Sequence, residues 1–435
     1  MLRTVAAGSA LALVGCAVLV GLPASEANAQ TLGQEVRDLD MTQLDEIGVP
    51  TAWQTSEGAG VTVGVLDTGV DGSVSDLSGV VTEGPDYTAG ADPAGYQPPE
   101  MHATWMASII AAHGDGPGDS EGMIGVAPEA KILSVRVILD DSEPGLSRFQ
   151  SSSRWDNALG EGIHYAVNHG VKVINMSLGG NTIASERAAI DYAVSHGVVV
   201  VASAGNSGSG SGYTAYSYPA SYPGVISVAA LNSNGTRASF SDNNASVVIS
   251  APGVNVIAAG PADNYYQVEG TSPAAAFVSG VVALIRSKYP GLSPALVEQA
   301  LVTSTTERPA GGYDTEIGFG EVNAPGALAA AAKLAATRPQ SGIASTTRFT
   351  TGSLPAIQVT HRNKARIRDY GAAAAAAGVC FLIALILLII WSARASRAGR
   401  ADRDGPGDGQ AWYPGLQEAA QPEQVLHAGL DLHLA

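Results

Sequence analysis

The chain has 435 residues, 46% of them hydrophobic and 52 of them glycine, which is enough material for one large or two ordinary domains of a loop-rich α/β kind. A formal charge of −17 excludes nucleic acid or an anionic membrane surface as the main partner, because both need basic patches. The only two cysteines, Cys16 and Cys380, lie in apolar segments near opposite ends, so the sequence between them must be stabilised by packing without a disulfide.

Residues 1–29 carry one early arginine, Arg3, then an apolar stretch from Val5 to Leu22, then Ala27-Asn28-Ala29 before Gln30. This is the pattern of a secretory signal with an A-x-A cleavage site. A retained N-terminal anchor is the plain alternative, and Leu13-Val14-Gly15-Cys16 also reads as a lipobox, although the apolar run continues beyond Cys16. Residues 30–55 form an N-terminal extension to the domain that follows.

From Val61 to Leu66 valines alternate into a short strand that ends at Asp67 and the Thr68-Gly69 turn. Apolar segments recur at Lys131 to Leu139, Val171 to Met176, Val198 to Ala202 and Val225 to Ala229. Helix-like stretches separate them, such as Asp156 to Asn168 and Ser185 to Ser195. The alternation predicts an α/β domain over 56–336 with a mostly parallel sheet flanked by helices. In such a sheet functional groups gather at the carboxyl ends of the strands, where Asp67, Ser177 and the segment Ser203 to Asn206 fall.

Residues 337–370 are rich in Ser, Thr and Pro and end in a basic patch, which suits an extended tether. Residues 371–392 are Ala-rich, then Leu/Ile-rich and uncharged until the run ends, long enough for one transmembrane helix. Basic residues flank this run on both sides, so the leader must set the orientation, with the domain outside and residues 393–435 as a cytoplasmic tail.

Three islands carry a carboxylate, an imidazole and a hydroxyl: Asp67-Thr68-Gly69, His102-Ala103-Thr104 and Gly270-Thr271-Ser272. Ser272 precedes Pro273 and an apolar helical run from Ala274 to Ile285, so its hydroxyl is expected at a helix N-terminus with Pro273 at the first helical position. His102 precedes Ala103 to Ile109 and is expected to begin a helix into the core. Asp71 suits a turn, and His113, His164, His169 and His196 suit surface or packing roles. Taken alone, Gly270-Thr271-Ser272 is an ordinary helix cap and Ser203-Ala204-Gly205-Asn206-Ser207-Gly208 an ordinary turn.

Together the islands, in the order Asp, His, Ser, resemble the subtilisin-like serine proteases. The string GTSPAAAFVSGVVALI resembles the serine segment of that family, with Pro273 where a larger residue is usual and Ala276 where proline is usual. Ala103 stands where the family has glycine. The resemblance implies Ser272 as nucleophile, His102 as general base and then acid, and Asp67 as its orienting carboxylate. It also implies an oxyanion hole from Asn206 and the amide of Ser272, and a substrate cleft lined by Ser177, Leu178, Gly179, Ser203, Ala204 and Gly205.

Metal chemistry has no motif here, since there is no H-E-x-x-H and no Cys/His cluster of zinc spacing. Many subtilases bind calcium, yet Asp76, Asp86 and Asp92 read as isolated acids in solvated turns, so no cofactor is expected. Leader, subtilase domain, linker, one span and short tail together resemble mycosins, the membrane-anchored proteases of actinobacterial type VII secretion systems. The expectation is a cell-membrane serine endopeptidase with protein or peptide substrates, no nucleic-acid partner, and a type VII secretion complex as neighbour. A general surface subtilase is the alternative within the class. Outside it stands a scaffold of the secretion complex with weak or absent proteolysis, kept open by Ala103, Pro273 and Ala276.

Overall fold

The computed structural model describes Arg3–Thr4, residues 31–210 and residues 212–337. The expected leader apart from Arg3–Thr4, the linker beyond Thr337, the span and the tail lie outside the described residues. Among the described residues no helix is long and apolar enough to cross a membrane.

The chain runs through β1 (Arg3–Thr4), α1 (Leu32–Glu46), α2 (Val49–Trp53), β2 (Thr62–Asp67), β3 (Val81–Asp86) and α3 (Met101–Ala111). Next come the hairpin strands β4 (His113–Asp115) and β5 (Glu121–Ile124), then β6 (Lys131–Arg136), α4 (Leu146–Ser151) and α5 (Ala158–Asn168). Then follow β7 (Val173–Met176), α6 (Ala184–Ser195), β8 (Val199–Ser203), β9 (Val225–Leu231) and β10 (Val247–Pro252). The last described elements are β11 (Val256–Gly260), β12 (Asn264–Val268), α7 (Thr271–Lys288), α8 (Pro294–Thr303) and α9 (Ala324–Ala336).

Seven strands form one sheet in the order β10-β9-β8-β7-β2-β6-β3, and every neighbouring pair is parallel. The predicted α/β architecture is therefore present, with helices on both faces. Period-two geometry explains the two cores. Val63 and Val65 of β2 and Val199 and Val201 of β8 join the core shared with α3, α7 and α9. Leu66, Val200 and Ala202 face the opposite core, built against α5 and α6. Both faces are dry, which is why these strands read as nearly continuous apolar runs.

The edge strand β3 was not foreseen, because Val81–Asp86 is mostly polar and only partly buried. It has one neighbour, β6, and a register shift between Glu83 and Asp86. The antiparallel hairpin β11–β12 and the strand β10 were also unmarked by the alternation.

Residues 32–46, within the expected extension, form a helix that begins with a capping box: Thr31 accepts from the amide of Gln34, and Gln34 reaches back to Thr31. Its buried face, Val36, Asp40 and Leu44, packs on β5 and β11. Arg37 donates to the carbonyls of Asp119, Glu121 and Gly122, so a guanidinium holds the β4–β5 turn. Asp40 has no exposed surface; its Oδ2 accepts from the amide of Ile124 at 2.8 Å while Oδ1 has no partner. Helix α7 runs through the centre and passes Val126 so closely that a Cβ at Gly280 would lie 2.5 Å from the Val126 Cβ.

Burial lifts Asp40 from 3.8 to about 8, against its bond from Ile124 and the nearby Arg37 charge. The folded state thus holds this proton more tightly than the unfolded chain. The resulting stability is complete below 3.8 and is lost as pH rises through about 8. Asp40→Asn should therefore gain melting temperature relative to wild type as pH goes from 4 to 9, checked by thermal unfolding of both proteins across that range.

Candidate active site

Parallel pairing puts the carboxyl ends of β8, β7 and β2, three adjacent strands, on one rim of the sheet. Asp67 is the last residue of β2, Ser177 follows β7, and Ser203 ends β8 with Asn206 three residues on. These are positions where strand amides run out and loops must begin, so side chains and free backbone groups accumulate there.

His102 is the second residue of α3, and it is buried with every other residue of that helix except Met101. Its Nδ1 lies 2.8 Å from Asp67 Oδ1 and 3.0 Å from Oδ2. The carboxylate has no exposed surface, and Oδ1 also accepts from the amide of Thr68 at 2.7 Å. Nδ1 therefore carries the proton toward Asp67, leaving Nε2 as the basic nitrogen. Burial is the largest single influence on His102 and disfavours its charge, but the Asp67 charge and hydrogen bond, with Asp140 and Asp141 behind, raise its pKa above 6.5 overall. Ala103 is wholly buried, and its amide donates to Thr68 Oγ1 at 3.2 Å, so the added methyl is packed inside the core.

Helix α7 begins at Thr271, which puts Ser272 at the second helical position and Pro273 at the third. The expectation of Pro273 at the first position is corrected by two residues. The missing proline N–H still falls among the first four amides, which have no partner inside the helix. Ser272 is 2% exposed. Its Oγ donates to the carbonyl of Ser177 at 3.3 Å, and Ser177 Oγ donates back to the carbonyl of Ser272 at 3.0 Å. Asn175 completes this seam, donating to Ser177 Oγ at 3.1 Å and accepting from Ser279 Oγ at 2.9 Å. Among the described residues the resting hydroxyl is thus bonded to β7's end and not to His102. Helices α3 and α7 pack against one another.

Gly270, the cap of α7, has no side chain to satisfy the helix start. Asn206 does this from 65 residues away: its Oδ1 accepts from the amide of Thr271 at 2.9 Å and from Thr271 Oγ1 at 3.0 Å. Asn206 is exposed, and with its oxygen so engaged Nδ2 is the donor end of its side chain. Thr271 Oγ1 in turn accepts from the amide of Gly205 at 3.1 Å.

All six expected cleft residues, Ser177, Leu178, Gly179, Ser203, Ala204 and Gly205, are buried, Leu178 in the core against α5 and α6. Ser203 Oγ donates to the carbonyl of Leu178 at 3.5 Å, and Ala204 donates to the carbonyl of Val228. These side chains brace the rim from below, while Gly179 and Gly205 bring backbone to it. Gly180 exchanges both backbone hydrogen bonds with Tyr218, so that pair of groups is already taken.

Asp242 belongs to the site and was missed in sequence. It is 2% exposed, its Oδ1 accepts from the amide of Ser207 at 3.0 Å, and its own amide donates to the carbonyl of Gly205 at 2.9 Å, clasping Asn206 from both sides. Burial lifts its carboxyl to about 6. No local signal marks it, since its partners lie in another loop.

Asp76, Asp86 and Asp92 are not solvated turn acids of one kind. Asp76 is buried and accepts from the amide of Met123 at 2.9 Å; Asp86 accepts from Thr88; Asp92 accepts from the amide of Gly145 at 2.8 Å. Among the described residues no group of three or more His, Cys, Asp or Glu is placed to hold a metal ion. Asp71 accepts from the amide and hydroxyl of Ser73, as a turn residue does.

Residues 58–320 match the model of the subtilase family, Peptidase_S8. Subtilisin DY of Bacillus licheniformis is 37% identical over 258 residues, 58% of this chain and 86% of that protein. Fervidolysin of Fervidobacterium pennivorans is 35% identical over 336 residues, 70% of this chain but 46% of its own length, and its crystal structure superposes with a TM-score of 0.57. The structure of MycP3 protease from the type VII (ESX-3) secretion system is 33% identical, covers 66% of this chain and 87% of that chain, and superposes with a TM-score of 0.55. The chain thus spans most of the first and third and about half of fervidolysin. A parallel α/β domain with these relatives is a serine endopeptidase of the subtilisin kind. The chain belongs to the subtilase family.

If His102 must be neutral to take a proton from Ser272, the rate of phosphonylation by a fluorophosphonate should rise with pH and reach its midpoint above 6.5, measured by labelling over a pH series. Asn206→Ala should slow peptide hydrolysis by about 10²–10³ in kcat. Thr271→Val, which removes one of the two bonds to the Asn206 oxygen and leaves that from the Thr271 amide, should cost part of that loss in the same assay.

Proposed function

We propose that this chain is a membrane-anchored, extracytoplasmic serine endopeptidase of mycosin type that hydrolyses peptide bonds through an acyl-enzyme, with Asp67, His102 and Ser272 as its triad. The observation that carries the chemistry is the buried 2.8 Å contact from His102 Nδ1 to Asp67 Oδ1, on a helix packed against the one whose first turn holds Ser272. Asp67 holds the tautomer in which Nε2 can accept the Ser272 proton. Ser272 Oγ, released from its long bond to the Ser177 carbonyl, attacks the scissile carbonyl carbon as that proton passes to His102.

The oxyanion so formed is received by Asn206 Nδ2 and by the amide of Ser272, which points out of the first turn of α7. Collapse expels the amine, which takes the proton from His102 and leaves an ester on Ser272. Water then attacks the ester and gives a proton to His102, the bond from the acyl carbon to Ser272 Oγ breaks, the carboxylic acid product leaves, and His102 returns the proton to Ser272. Buried Ala103 and Pro273 leave each of these groups in place, which supports an active enzyme over a scaffold with a dead site.

The membrane and secretion assignments rest on the leader-like residues 1–29, the uncharged apolar run at 371–392 and the likeness to MycP3. The peptidase domain would then face outward, with residues 393–435 in the cytoplasm and a type VII secretion complex as partner. Wild-type full-length protein should be phosphonylated by a fluorophosphonate at Ser272, with loss of fluoride, and Ser272→Ala should abolish both labelling and peptide cleavage. Affinity purification from membranes of the native host should recover secretion-channel subunits with wild type and with Ser272→Ala alike. Absence of labelling under conditions that label a control subtilisin removes the endopeptidase reading, and a membrane fraction free of channel subunits removes the secretion reading.

A further inference from the structure

The two helices that deliver His102 and Ser272 both begin without a side-chain cap of their own. For α7 the cap comes from Asn206. For α3 it comes from Asp140, in the loop after β6, whose Oδ2 accepts from the amide of Met101 at 3.3 Å. Asp140 is itself fixed, because its amide donates to Glu143 Oε1 at 2.7 Å. Glu143 Oε2 accepts from Arg136 Nη2 at 2.6 Å. Arg136 Nη1 donates to the carbonyl of Thr68 at 2.6 Å, and Thr68 donates its amide to Asp67 Oδ1 and accepts from the amide of Ala103. The path closes on the Asp67–His102 pair.

We propose that Arg136, Glu143 and Asp140 are positioning residues that lock the end of β2 to the start of α3, and that Asp140 is a second carboxylate acting on His102. This rests on the endopeptidase reading above. Arg136, Glu143 and Asp140 are 6%, 3% and 8% exposed, so the circuit works at low dielectric, where fixed geometry and charge are felt strongly.

The plain alternative is that the acids exist only to neutralise a buried guanidinium. The distances argue otherwise. Arg136 has Asp92 at 3.4 Å and Asp86 at 3.5 Å, loose contacts that would serve neutralisation. Its two 2.6 Å bonds go to Thr68 and Glu143, the two groups that lead to the site. A lysine could supply the charge but not both directions, since only the guanidinium fork presents two divergent donors in one plane.

Other charges around His102 are few. Asp67 lies on β2, Asp140 and Asp141 on the loop after β6, and all three favour its protonated form. Glu100 precedes α3, and the pKa of its carboxyl is raised by burial and by Asp71. Burial is the largest influence on Asp140 and raises its pKa overall, while His102, the Met101 amide and Arg136 pull it the other way.

Asp140→Asn, made in the full-length protein, keeps an oxygen for the Met101 amide and removes only the charge. The midpoint of fluorophosphonate labelling against pH should move down by about half a unit. Arg136→Lys should lower the plateau rate by about tenfold, because the fork cannot be replaced. A wild-type midpoint in Asp140→Asn together with a wild-type plateau in Arg136→Lys overturns the proposal. Should wild type itself fail to label, the endopeptidase reading falls, and NMR titration of His102 in ¹³C-histidine full-length protein decides this proposal by itself. There a lower midpoint in Asp140→Asn supports the circuit and an unchanged one overturns it.

Discussion

Asp67 carries a carboxylate with no exposed surface at the end of the central strand β2. A charge buried in this way costs several kcal/mol unless it is paired and hydrogen-bonded, and the local structure is organised to do both. The Thr68 amide and His102 Nδ1 reach Oδ1, and the carbonyl of Asp67 accepts from Val137 across the sheet. The turn after β2, the start of α3 and the end of β6 must therefore meet at one point. Their meeting sets the place of the imidazole, and with it the place of α7.

Both helix starts at this rim show the same solution. A helix beginning at an active site leaves amides pointing at the space where negative charge will develop, and a local cap would consume one of them. Here Gly270 and Glu100 leave those starts uncapped, and Asn206 and Asp140 reach in from distant loops. The capping bonds bind remote segments into one frame, and the amide of Ser272 stays available. The Ser177–Ser272 exchange does the same for β7, holding Ser272 in register through one bond of 3.0 Å and one of 3.3 Å.

Much of this was legible in the sequence because the physics was local. Strands buried on both faces need unbroken apolar residues, so β2, β6, β7, β8 and β9 announced themselves with ends within a few residues of those observed. Asp67, His102, Ser272 and Asn206 stand in strings whose neighbours have their own packing duties, and those strings marked them. Strand β3 was silent because an edge strand with one polar face needs no such pattern. Asp76 and Asp92 read as ordinary turn acids because burial is a property of the surroundings and leaves no trace in a short window.

The sequence by itself determined the class of fold and the nucleophilic and titratable groups available to it, since these follow from residue type and short-range periodicity. The tertiary structure alone decided how those groups are held. It set Thr271 as the first residue of α7 because Asn206 caps it, turned Ser272 to the Ser177 carbonyl, and clasped Asn206 with Asp242. It also joined Thr68 to Arg136 across 68 positions. Such bonds depend on two loops arriving at one place, and no stretch of chain contains both partners.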